Sequence, residues 1–433
     1  MRFISTRGSS AALPFSDALC AGLAPDGGLY VPERLPHFGA EDLAHIPDDT
    51  LANTLAAVLK PMLGDDRLAA ALPDLCAEAA NFDIPLLPMR GCGDYVLELF
   101  HGPTAAFKDL AGRFLAASLA QLREKHAPTQ TVLVATSGDT GAAVGAAFLG
   151  REGFRVLILY PEGKVSPAQA HSLGAFGGNV RALRVEGSFD DCQRLAKQAL
   201  GDLTLRTEVP LLTANSISLG RLLPQMGYYA LHALRFQRAH GRTLNFIIPS
   251  GNLGNAMAAL IARAMGLPIG DVVMATNDNP TLAEFFSGGD YRGRDAVSTL
   301  ANAMDVGAPS NFERLMWLAS GDAANARSMV RVQRISDERV RNTVRAAEAL
   351  HGIAPCPHTA CGLAVLEDLR ASGDGRDWAV AATAHASKFL DVVEPLLGHS
   401  VQAPAAFAAL LARPAHAELM PVSSEALHRQ LRA

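Results

Sequence analysis

Thr131-Val-Leu-Val-Ala135 runs directly into Thr136-Ser-Gly-Asp-Thr-Gly141, and the reading of that junction decides the fold. A short apolar run without polar alternation reads as a strand buried on both faces. Gly138 and Gly141 then permit a sharp turn, and the helix-like stretch 141–151 follows. The succession recurs. Arg155–Tyr160 and Asn179–Val185 read as the next strands. Thr243–Ile248 leads through Ser250-Gly-Asn-Leu-Gly-Asn255 into the helix-like 256–265 and then the strand Asp271–Ala275. Strand–helix–strand alternation predicts an α/β protein with mostly parallel sheets, and such sheets bind ligands beyond the carboxyl ends of their strands.

Outward from this core, 433 residues are enough for two or three domains. Residues 1–92 differ from the rest: Gly22–Pro32 is turn-rich with one short strand, and helical periodicity over 49–63 predicts a small, mostly helical domain. The predicted division continues with a smaller α/β lobe over 93–225 and a larger one over 226–433, which ends in a short helical appendage after about 400.

Composition excludes several classes. A net charge of −5 with no basic run speaks against a broad nucleic-acid surface. No stretch of about 18 apolar residues runs without charge, so no membrane span is expected. Polar residues interrupt the first 23 positions, which do not read as a signal peptide. None of the six cysteines forms a Cys-x-x-Cys pair, which predicts idle thiols in a reducing cytoplasm and no metal site.

The loops at 136–141 and 250–255 are both candidate anion cradles, since glycines admit a close approach and the following helix offers free N–H groups. Two of them suggest a cofactor phosphate at one and a substrate anion at the other. Neither carries the dinucleotide or nucleoside-triphosphate signature. Lys108, in Phe100-His-Gly-Pro-Thr-Ala-Ala-Phe-Lys-Asp109, sits in small, apolar company ahead of the helix-like 110–122. On its own it reads as a solvated lysine at a helix start, as most such lysines are. If partly buried, its amine loses charge and can condense with an aldehyde.

In combination the motifs say more. Phe-His-Gly-Pro-Thr-x-x-Phe-Lys-Asp, Thr-Ser-Gly-Asp-Thr-Gly and Ser-Gly-Asn-Leu-Gly-Asn, in that order, resemble the threonine synthase family, a tryptophan-synthase-like, fold-type II class of pyridoxal-phosphate enzymes. Gly22–Glu33 near the start, Asn302–Asn311, and Ala382-Thr-Ala-His-Ala-Ser-Lys-Phe389 extend the resemblance over nearly the whole chain. It implies two mostly parallel α/β lobes, pyridoxal 5'-phosphate as cofactor, and Lys108 as the lysine that joins it. Gly251, Asn252, Leu253, Gly254 and Asn255 would wrap the cofactor phosphate through backbone N–H groups and the asparagine side chains. Leu253 stands where the family usually has Phe. Thr383 would hydrogen-bond the pyridine nitrogen, and Asp139 would lie near the ring oxygen. Thr136, Ser137, Gly138, Asp139 and Thr140 would face the substrate carboxylate. Asn215, Ser216 and Arg221, in Asn215-Ser-Ile-Ser-Leu-Gly-Arg221, would contact a substrate phosphate, with Lys164 as a second cation.

The implied substrate is O-phospho-L-homoserine, converted with water to L-threonine and phosphate by a monomer or homodimer. Closure of the smaller lobe over the larger is expected to exclude water. Three rivals stay open at this point. A related phospho-lyase would give 2-oxobutanoate and ammonia, a serine or threonine dehydratase would need no phosphate-binding cations, and a non-catalytic module on a degenerate fold would do no chemistry. His101 and His385 read equally as cavity-lining or packing residues, His358 as part of a packed loop, and Arg235, Arg238 and His240 as solvated residues at a helix end.

Overall fold

The computed structural model describes all 433 residues. Its strands, in chain order, are β1 (Phe3–Ser5), β2 (Tyr30–Pro32), β3 (Leu86–Pro88), β4 (Asp94–Glu98), β5 (Gln130–Ala135), β6 (Phe154–Pro161) and β7 (Val180–Val185). They continue with β8 (Leu211–Thr213), β9 (Leu244–Pro249), β10 (Ile269–Thr276), β11 (Arg331–Arg334), β12 (Trp378–Ala382) and β13 (Glu418–Met420). They form three sheets: an antiparallel pair β1–β2, a six-stranded sheet ordered β11-β10-β9-β12-β4-β3, and a five-stranded sheet ordered β13-β7-β6-β5-β8. Every pairing in the two larger sheets is parallel except β3 with β4.

Strand residues alternate between two cores, as a period of two requires. On β9, Leu244, Phe246 and Ile248 join the core shared with helices Met226–His240 and Gly254–Ala264, while Ile247 faces the core under helix Pro357–Ala371. On β5, Val132 and Val134 face one side and Leu133 and Ala135 the other. Both sheets are thus covered on both faces, which explains why their strands read as continuous apolar runs.

The predicted cuts at residues 93 and 226 do not follow the sheets. β3 falls in the predicted N-terminal domain and β4 in the predicted smaller lobe, yet both lie in the six-stranded sheet, where β4 sits between β3 and β12. The tail after 400 is not purely helical. β13 extends the five-stranded sheet beside β7, and helix Ser424–Arg432 follows it, burying Leu427 and Leu431. Non-local pairing decides both memberships, and a three-residue edge strand carries too little pattern to be read locally.

The N-terminal helices are docked rather than separate. Helix Leu51–Leu63, capped by the Thr50 hydroxyl, buries Leu55, Val58, Leu59 and Met62 and packs on Met226–His240. Helix Leu72–Ala79 packs on Lys108–Leu122. Arg235 and Arg238 are exposed as expected, and they also donate to the carbonyls of Asp48, Asp49, Leu43 and Ile46, tying this region down. No helix is long and apolar enough to cross a membrane.

Candidate active site

One cavity lies beyond the carboxyl ends of both large sheets. Its lining includes Ala135 at the end of β5, Pro249 at the end of β9, Thr383 just past β12, and Asn215 just past β8. Of the residues singled out in the sequence, Lys108, Ser137, Asp139, Thr140, Asn215, Ser216, Arg221, Thr383 and all of Gly251–Asn255 line it. Thr136, Gly138 and Lys164 do not. Lys164 stands in the exposed turn after β6. Thr136 is buried beneath the loop, its hydroxyl accepting from the N–H groups of Gly138 and Gly141, both at 2.9 Å. Gly138 has φ +130°, backbone that L side chains rarely adopt, which explains glycine there.

Lys108 begins helix Lys108–Leu122. The loop before it is fixed by buried Asp109, whose carboxylate accepts from the Thr104 N–H (2.9 Å) and hydroxyl (2.6 Å). The carbonyl of Thr383 accepts from the Phe107 N–H at 2.9 Å, setting the helix start against the end of β12. The Lys108 amine lies over the Phe107 ring, 4.4 Å from its centroid, and 3.5 Å from Asp139 Oδ2. Burial depresses its pKa; Asp139 opposes this, while Lys388 and Arg221 add to the depression.

The turn 250–255 differs from 136–141 in what it leaves unspent. Leu253 has φ +64°, opening helix Gly254–Ala264 with its first N–H groups free for an anion. A Cβ on Gly251 would come within 2.6 Å of Met304 Cα, so only glycine fits this wall. Asn255 takes the Tyr229 hydroxyl proton on its Oδ1, while its Nδ2 has no partner, nor does the Ser250 hydroxyl. Asn252, by contrast, is occupied structurally. Its amide donates to the Ser216 hydroxyl at 2.6 Å and accepts from the Ser310 N–H at 2.5 Å, and its carbonyl accepts from the Asn311 amide at 2.9 Å.

Arg221 is buried and makes no ion pair. It donates to the Ala214 carbonyl at 2.6 Å, and its Nε is unpartnered, as is Asn215 Oδ1. Burial brings the guanidinium down to about 10. Four of the eleven buried polar side-chain atoms that lack a partner, on Asn215, Arg221, Ser250 and Asn255, therefore belong to this one lining. Buried polar groups are ordinarily satisfied, so their concentration here marks a site built for a polar, anionic ligand. A phosphate at the glycine-bearing turn and an aldehyde near Lys108 fit that donor set, which is what pyridoxal phosphate requires.

Several lining residues were not legible in the sequence. The stretch 303–310 supplies Ala303, Met304, Val306, Ala308 and Ser310 without regular structure beyond one short turn. Asp305 anchors it, accepting from Asn277 (2.7 Å) and from the Thr299 hydroxyl (2.7 Å) and N–H (3.0 Å); burial pushes its carboxyl up to about 7. Arg314, fully buried, clamps the same wall by donating to Tyr30 O (3.0 Å), Ile217 O (2.7 Å) and Asn311 Oδ1 (2.7 Å). His358, expected in a packed loop, lines the cavity; its Nε2 accepts from the Ala303 N–H at 3.1 Å, and burial brings it down to about 4. His101 and His385 lie outside the lining, held by Glu98 (2.7 Å) and Ser387 (2.9 Å).

Comparison with known proteins completes the picture. Residues 2–80 match the family model described as threonine synthase N terminus, 85–385 that of pyridoxal-phosphate dependent enzymes, and 359–431 that of the threonine synthase C-terminal region. The threonine synthase of Serratia marcescens is 35% identical, the alignment covering 100% of this chain and 99% of that protein. Among solved structures, threonine synthase from Escherichia coli matches with a TM-score of 0.91 at 33% identity, covering 100% of this chain and 99% of that one. The pyridoxal-phosphate-bound threonine synthase from Brucella melitensis matches with a TM-score of 0.90 at 35% identity and the same coverage. Matched in fold and along nearly all of its residues, the chain belongs to the threonine synthase family of pyridoxal-phosphate dependent enzymes.

Proposed function

We propose that this chain converts O-phospho-L-homoserine and water to L-threonine and phosphate, with Lys108 as the group that moves protons at Cα and Cβ. The observation that carries the reading is a buried, ion-pair-free Arg221 with an unspent Nε, sharing one cavity with the depressed amine of Lys108 and the unfilled turn 251–255.

Pyridoxal phosphate, when bound, supplies a conjugated ring that accepts the electron pair left when a proton leaves Cα. The backbone N–H groups of 251–255 and the Asn255 amide would hold its phosphate, and the Thr383 hydroxyl would meet its pyridine nitrogen. Lys108, an amine that burial favours in its uncharged form within the cavity, would serve as the base that takes the Cα proton. Arg221, with Asn215 and Ser216, binds the substrate phosphate and stabilises the charge that grows on it as its bond to Cγ breaks. Ser137, Asp139 and Thr140 face the substrate's carboxylate end. The stretch 303–310 and the lobes on either side exclude bulk water, so that a single water is admitted to Cβ. Lys164, exposed and outside the lining, has no role in this scheme. All six cysteines are unpaired, which supports a reducing cytoplasm as the working compartment.

The test is product analysis with O-phospho-L-homoserine. Wild-type protein is expected to release threonine and phosphate in equal amounts, and Lys108→Ala to lose at least about 10⁴-fold in turnover. Formation of 2-oxobutanoate and ammonia in place of threonine would overturn the proposal.

A further inference from the structure

Two lysines face a single carboxylate at the inner end of the cavity. Lys388, on the short turn Ala386–Lys388, is fully buried. Its amine lies 2.8 Å from Asp139 Oδ1 and donates to the Thr104 carbonyl, also at 2.8 Å. Gln169 Nε2 donates to the same Oδ1 at 3.0 Å. Lys108 has only Oδ2, at the longer distance of 3.5 Å. Asp139 is therefore already engaged before Lys108 is considered.

We propose that Lys388 is a positioning residue that holds Asp139 as its own counter-ion and so leaves Lys108 free to stand as an uncharged amine. This rests on Lys108 being the lysine that joins the cofactor. Lys388 cannot take that part itself, because it is sealed from the cavity and bonded on two sides. A carboxylate shared by two amines cannot fully compensate both, and the one with the shorter contact and the additional acceptor holds it as a counter-ion. The other charged and titratable groups facing this cluster are Arg221 and His358 across the cavity and Asp109 beneath Thr104. Arg221 adds to the positive field at Lys108, and His358 is held neutral by burial. Asp109 spends its oxygens on Thr104. Burial alone would raise the Asp139 carboxyl, but Lys388 first and Lys108 second hold it far below its ordinary range.

The experiment is to titrate the Lys108 amine in cofactor-free protein by its rate of trinitrobenzenesulfonate labelling across pH, read at that peptide by mass spectrometry. In Lys388→Met, which keeps volume and removes charge, Asp139 is left to Lys108, and the labelling midpoint is expected to rise by about one pH unit or more. The acid limb of kcat, which reports the substrate complex in which this amine is free, should rise with it. A folded Lys388→Met protein with the wild-type midpoint overturns the proposal. Should that variant fail to fold, Asp139→Asn tests the same arrangement with opposite sign. Its midpoint should fall, since the positive field at Lys108 then has no carboxylate to offset it, and an unchanged midpoint overturns the proposal. Failure of the underlying reading looks different. Wild-type protein that carries no cofactor on Lys108 after pyridoxal phosphate and borohydride sinks that reading, whereas a labelled Lys108 indifferent to position 388 sinks only this inference.

Discussion

The turns after β5 and β9 look alike in sequence, each a glycine-bearing link from a buried parallel strand to a helix, and the structure uses them oppositely. After β5, the Thr136 hydroxyl closes its own loop and Asp139 is taken by Lys388 and Gln169. After β9, Ser250 and Asn255 leave polar atoms unpartnered, and Leu253 opens a helix whose N-terminal N–H groups face the cavity. The first loop has spent Thr136 and Asp139 on holding its shape and turns Ser137 and Thr140 to the cavity, whereas the second turns its buried, unpartnered groups there. Within each turn, the residues that hold its shape are told from those left for a ligand by that difference in satisfaction, which glycine content does not report.

Breaking the comparison from the unspent side should have the largest effect. Gly251→Ala pushes a methyl group into Met304 and is expected to weaken cofactor retention by about 100-fold or more, measured by equilibrium dialysis of the bound cofactor. Asn255→Ala removes one amide donor and should cost about tenfold in the same measurement.

On the spent side the readout should be stability. Thr136→Val deletes the acceptor for two N–H groups and is expected to cost about 1–3 kcal/mol in chemical denaturation, with cofactor affinity within about threefold of wild type. A larger loss of affinity than of stability would erase the distinction between the loops.

Acid offers a finer probe of the wall that seats Gly251. His358 is held neutral at about 4 by burial, against about 6.5 when unfolded. The unfolded chain binds the extra proton first as pH falls, so the stability this residue contributes is complete above about 6.5 and is lost toward 4. From pH 7 to pH 5 that is at most about 2 kcal/mol, and it should shrink in His358→Asn. The smallest effect is expected at Lys164→Ala, where KM for the phosphorylated substrate should move less than about twofold.

Much of the fold was legible because buried parallel strands impose continuous apolar runs. Thr131–Ala135 and Thr243–Ile248 announced β5 and β9 to within a residue or so. Sheet membership was not, because nothing in Asp94–Glu98 says that its partner is Trp378–Ala382. At the site, the resemblance singled out Lys108, the turn 251–255 and Arg221, and the structure brings them into one lining. Lys388 could not be read from the sequence, since a lysine in a C-terminal motif reads as solvated until the fold seals it against Asp139 and Thr104. Nor could the inward turn of Thr136, because a threonine after a strand serves a ligand or its own loop with equal ease.

The place of β4 between β3 and β12 carries a consequence for manufacture on the ribosome. Residues 94–98 leave the exit tunnel early, yet their neighbour at 378–382 arrives only after nearly three hundred further residues have been made, at roughly 5–20 per second. Through that interval the nascent chain exposes strand edges with no complement, and β7 likewise waits for 418–420. The yield of such a chain should depend on how long those edges stay uncovered.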